Sequence, residues 1–150
     1  MYKKVLVPMD GSKLAECALP HVKNLIKEGA AGEVIILNVV GVDIPWEEMD
    51  KGIDFNAMRQ QLLSTSEQYI ASIASQLSVE GIKVKAESIE HSRPATTIVD
   101  YAKKNSVDLI VMATHGYSGI QKMLMGSVAF KVLHESHVPV LLIRPESCAA

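Results

Sequence analysis

The apolar run Val107 to Met112 passes directly into Ala113-Thr114-His115-Gly116-Tyr117-Ser118-Gly119, and Gly126-Ser127 then opens a helical pattern. A buried strand, a glycine-bearing loop and a new helix N-terminus together make an anion site. Unpaired backbone N–H groups converge there, and the helix dipole favours negative charge. The stretch therefore predicts a loop that holds the phosphates of a nucleotide.

The same strand-to-helix alternation fills the rest of the chain. Val5-Leu6-Val7-Pro8 reads as a short buried strand, and Asp10-Gly11-Ser12 is turn chemistry. Leu14, Ala15, Ala18, Leu19, Val22, Leu25 and Ile26 then form one helical face. Pro20 lies inside that face and predicts a kink, with Gly29 and Gly32 as stop signals. Val34 to Val40 is β-branched and almost continuously apolar, the pattern of a parallel strand covered on both faces. From Gly41 to Asn56 no period is visible among Pro45, Trp46, Glu47, Glu48, Asp50 and Gly52, which predicts a mobile connection or lid with solvated charges.

Met58, Leu62, Leu63, Tyr69, Ile70, Ile73, Ala74 and Leu77 recur at helical spacing up to Gly81. Ile82, Val84 and Ala86 then alternate with Lys83, Lys85 and Glu87, which predicts a strand at a sheet edge. Pro94 opens a helix running to Asn105, Ser127 to Glu135 makes another, and Val138 to Ile143 is the last strand. Met123, Leu124 and Met125 read as core more readily than as site. Five strands alternating with four helices predict one doubly wound α/β domain with a parallel sheet in the order 3-2-1-4-5, flavodoxin-like. That order leaves the apolar strand Val138–Ile143 at an edge, which predicts a homodimer joined through it.

Composition narrows the function classes. The chain has 150 residues, 48% of them apolar, and a formal charge of −2, so it lacks the basic excess of a nucleic-acid binder and the composition of a disordered tail. No run approaches a membrane span, and the first apolar run is too brief for a signal peptide, so a cytoplasmic protein is expected. Cys17 and Cys148 have no metal or disulfide spacing around them. His134 and His137 sit one turn apart but suit a helix C-terminus, and no third metal ligand is placed beside them.

In the expected sheet, the loops after Pro8 and Met112 face one another across the crevice where open α/β sheets bind ligands. Asp10 accepts from ribose or base, Val39 packs on a base, and backbone amides of Gly116 to Gly119 and Gly126 to Val128 hold phosphates. The plainer alternative is that Asp10 shapes a turn and Gly126 lets a helix start. Neither GxxxxGK[ST] nor GxGxxG occurs, which argues against motor-like ATP turnover. Gly116-Tyr117-Ser118-Gly119 is one residue short of a GxSxG nucleophile elbow, and no ordered acid and base accompany it.

Lys4-Val5-Leu6-Val7-Pro8-Met9-Asp10-Gly11-Ser12, taken with Ala113-Thr114-His115-Gly116 through Gly126-Ser127-Val128, closely resembles the universal stress protein family. The resemblance also takes in Leu37-Asn38-Val39-Val40 and Val138 to Arg144. Its nucleotide-binding branch carries glycine, two residues, glycine, nine residues, then glycine and serine or threonine. Here Ala113 replaces the first glycine, adding a methyl group that matters only if the position needs a glycine-only backbone or close phosphate approach. Ser92 likewise stands where the family has glycine before Pro94.

What the resemblance implies is an ATP-binding homodimer of the adenine nucleotide α-hydrolase type, with Mg²⁺ carried by the ATP. Its site comprises Pro8, Met9, Asp10, Val39, Ala113, Thr114, His115, Gly116, Tyr117, Ser118, Gly119, Gly126, Ser127 and Val128. Family members are regulatory rather than established catalysts, so occupancy is expected to switch loop conformation and hydrolysis to be slow at most. The alternative is a nucleotide-independent dimeric interaction module of the same fold.

Overall fold

A computed structural model describes residues 1–41, 54–115 and 125–145. Five parallel strands run β1 (Tyr2–Met9), β2 (Ala31–Val40), β3 (Val84–Glu90), β4 (Leu109–Ala113) and β5 (Val140–Ile143), in the sheet order β3-β2-β1-β4-β5. The expected order and parallel direction are both present, with β3 and β5 at the edges.

Side chains alternate between the two faces because a strand has a period of two. Val5, Val7, Val34, Ile36 and Val111 pack on one face, and Leu6, Ile35, Leu37, Ile110 and Met112 on the other. Helices cover both. The first face takes α1 (Lys13–Glu16), α2 (Leu19–Lys27) and α3 (Phe55–Val79), and the second takes α4 (Pro94–Lys104) and α5 (Ser127–Glu135). The continuous apolar run of β2 is thus explained by burial on both sides, whereas Lys83, just before β3, and Lys85 within it stay in solvent.

The first crossover differs from the expected kinked helix. Pro20 has no N–H to give Glu16, and its ring crowds that carbonyl, so the chain breaks into two helices instead of bending one. Cys17 and Ala18 tighten the break with N–H bonds three residues back, to Leu14 O at 3.2 Å and Ala15 O at 3.3 Å. Pro20 then occupies the first turn of α2, where a missing donor is harmless. Gly29 ends α2 at φ +73°, while Gly32, expected as a second stop, belongs to β2.

Two boundaries also move. Asp54 caps α3 by accepting from Ala57 N at 3.2 Å, so Phe55 and Asn56 are helical and not part of the connection. Val138 precedes β5, where Pro139 supplies a carbonyl to Ile110 N at 3.0 Å. The expected lid, with Glu47, Glu48 and Asp50, lies otherwise outside the described residues, as do Met123, Leu124 and Cys148. Met125 is half-buried against the core of the second face.

Candidate functional site

The carboxyl ends of β1, β2 and β4 open into a crevice of about 710 Å³. Strand order reverses at this point, between β1 and β4, and the helices that follow them, α1 and α5, pack on opposite faces of the sheet. Pro8, Met9, Asp10, Val39, Ala113, Thr114, His115, Gly126, Ser127 and Val128 all line the crevice. Gly116, Tyr117, Ser118 and Gly119 lie outside the described residues.

Asp10 serves the turn and the crevice together. Its Oδ1 accepts from Ser12 N at 2.9 Å and Ser12 Oγ at 2.5 Å, and Ser12 Oγ in turn accepts from Ala15 N at 3.1 Å to cap α1. Asp10 therefore shapes the turn, as the plainer alternative has it, and also lines the crevice.

On the opposite wall, Thr114 N donates to Ile143 O at 2.9 Å, and Thr114 O accepts from Gly126 N at 2.6 Å. Thr114 Oγ1 and His115 Nδ1 lie 2.8 Å apart. A Cβ on Gly126 would meet Thr114 O at 3.0 Å, so glycine is what lets the chain return this close to the end of β4. Gly126 is also the N-cap of α5 and offers no side chain to its first turn. The N–H groups of Ser127, Val128 and Ala129 have no acceptor inside the helix, and all three residues line the crevice.

Ala113 takes ordinary strand geometry opposite Ile143, and its φ is not positive. The glycine-only conformation that an alanine would strain is not used here.

Sequence reasoning missed the α3 wall. Leu62, Thr65, Ser66 and Tyr69 line the crevice, as do Asn38 on β2 and Pro94 and Ile98 on α4. Two signals were available: Asn38 interrupts an apolar strand, and Ser66 interrupts the stripe that continues through Ile70, Ile73 and Leu77. The described lining contains no lysine or arginine. No group of three His, Cys, Asp or Glu able to hold a metal occurs among the described residues.

The sequence profile of the Universal stress protein family matches residues 1–144. The chain belongs to the universal stress protein family. It is 33% identical over 144 residues to Universal stress protein MJ0531 of Methanocaldococcus jannaschii, covering 96% of this chain and 83% of that protein. The solved structure of MJ0577 from the same organism superposes with a TM-score of 0.82 at 35% identity, covering 96% of each chain. A family protein from Arabidopsis thaliana solved with AMP bound has a TM-score of 0.67 and covers 95% of this chain and 91% of its own, a likeness of fold at 17% identity. As in these universal stress proteins, the α/β architecture runs nearly the whole length of the chain. Among the described residues no helix is long and apolar enough to cross a membrane.

Proposed function

We propose that this universal stress protein binds ATP in the crevice as a regulatory ligand in the cytoplasm. The carrying observation is the first turn of α5, whose N–H groups lack a capping side chain and belong to residues lining the crevice. Phosphates sit on those amides, Asp10 bonds the ribose, and Val39 packs on the base. Because the described lining supplies no cationic side chain, the nucleotide brings Mg²⁺ to balance its charge.

The protein acts as a homodimer through the β5 edge, where Leu141 is 38% exposed. Occupancy switches the conformation of the loop that follows Ala113, and so changes what the dimer presents to a partner. Hydrolysis is slow at most, since a P-loop lysine is absent from the sequence.

Calorimetry with ATP, ADP and AMP on nucleotide-stripped protein tests this reading. Saturable binding that weakens in Gly126→Glu is the expected result. No saturable heat at millimolar ATP overturns it and leaves the nucleotide-independent interaction module.

A further inference from the structure

Two polar side chains stand where apolar packing would otherwise continue. Asn38 and Ser66 are 8% and 6% exposed, and Asn38 Nδ2 donates to Ser66 Oγ at 2.8 Å. Ser66 Oγ shares a further hydrogen bond with Ser88 Oγ of β3 at 2.6 Å. Burying an amide and a hydroxyl costs free energy unless their bonding capacity is met, and an apolar pair would pack without that demand. The trio is therefore explained better by what it shows to the crevice than by what it adds to the core. The amide nitrogen is tied to Ser66 and Asn38 lines the crevice, so the end of the amide left to a ligand is its carbonyl oxygen, which only accepts.

The position of the trio orients the ligand. Asn38 pairs in register with Met9, and β1 lies between β2 and β4. Asn38 is therefore two strand spacings, about 10 Å, from the β4 end and the amides of α5. At this end the crevice is lined by the neutral side chains of Asn38, Thr65, Ser66 and Tyr69. A phosphate finds no positive charge there, whereas an uncharged heterocycle finds a fixed acceptor.

We infer that Asn38, held by Ser66 and Ser88, reads the nucleobase by accepting a hydrogen bond from an exocyclic amine, so that the crevice selects a 6-aminopurine over a 6-oxopurine. The inference rests on the nucleotide reading of the crevice. Asn38 touches the base, and Ser66 is a positioning residue that determines which end of the amide faces it. A 6-oxo group would set oxygen against oxygen and leave both without a donor.

The test is calorimetry of the full, nucleotide-stripped chain with ATP and with ITP, whose purine carries an oxo group in place of the 6-amine. Wild type binds ATP about tenfold more tightly than ITP or better. Asn38→Leu brings the two affinities together. Ser66→Ala keeps Asn38 but frees its amide to turn, and lowers the ratio, while Ser66→Thr keeps the hydroxyl and the ratio. Because the ratio compares two ligands on one protein, general loosening of the site lowers both affinities and leaves it unmoved. If Asn38→Leu does not fold, the Ser66→Ala and Ser66→Thr pair makes the same decision. A wild-type ratio near one or in favour of ITP, or variants that keep the wild-type ratio, overturns the inference while ATP binding stands. A wild type that binds neither nucleotide overturns the function reading with it.

Discussion

Gly126 N–H donates to Thr114 O at 2.6 Å, which draws the N-terminus of α5 onto the last residues of β4. A Cβ at Gly126 would meet that same oxygen at 3.0 Å, so Gly126→Ala must widen the closure by a few tenths of an ångström. The expected result is a stability loss of about 1 kcal/mol and a clear weakening of ATP binding, read by denaturant titration and calorimetry. Unchanged affinity would separate the closure from the site.

Ala113→Gly tests the one departure in the glycine pattern. The position is 6% exposed and in strand geometry, so glycine removes a buried methyl and loosens the unfolded chain without relieving strain. Stability should fall by about 1 kcal/mol, with ATP affinity within about twofold of wild type. A tenfold gain in affinity would show that the methyl group obstructs the phosphates.

Tyr101 carries a clear pH dependence. Burial pushes its hydroxyl above the ordinary tyrosine value, and the hydrogen bond to Glu87 Oε2 at 2.6 Å, the Glu87 charge and the Glu33 charge push the same way. A pKa raised on folding means that the native state holds the proton longer. The stability this contributes is whole below about pH 10 and drains as the pH rises beyond it. Tyr101→Phe should cost about 1 kcal/mol at neutral pH, with the gap to wild type narrowing above pH 10 in thermal melts. A gap that is constant or widens with pH contradicts this.

Leu141→Lys places a charge on the β5 edge, where Leu141 is 38% exposed. Light scattering on size-exclusion fractions should report a dimer for wild type and a monomer for the variant, with little change in melting temperature measured per protomer. A wild type that is monomeric at micromolar concentration removes the edge-pairing proposal.

Much of this architecture was legible in residue periodicity. Val34 to Val40 announced a strand covered on both faces, and Lys83 and Lys85 announced an edge, because burial on two sides or one leaves different patterns. Pro20 announced a disturbance but not its form. Whether a proline bends a helix or divides it depends on how the flanking turns pack, and here Ala15, Ala18 and Val22 are all anchored in the core.

The crevice was half legible. Its β1 and β4 walls are contiguous stretches with turn and glycine chemistry, which local backbone geometry makes recognisable. The register between them is held by Asp108, whose carboxylate accepts from Lys3 N at 2.8 Å and Lys4 N at 2.9 Å, a link spanning more than a hundred residues. Nothing local in either segment indicates it.

By itself the sequence determined the strands, their burial, and the starts of α4 and α5, because each depends on periodicity or on backbone conformations that few residues adopt. Only the tertiary structure decided that Asn38, Ser66 and Ser88 meet, and that α3 closes the crevice over them. A buried polar residue announces that it needs a partner, but which partner it finds is settled by packing between elements far apart in the chain.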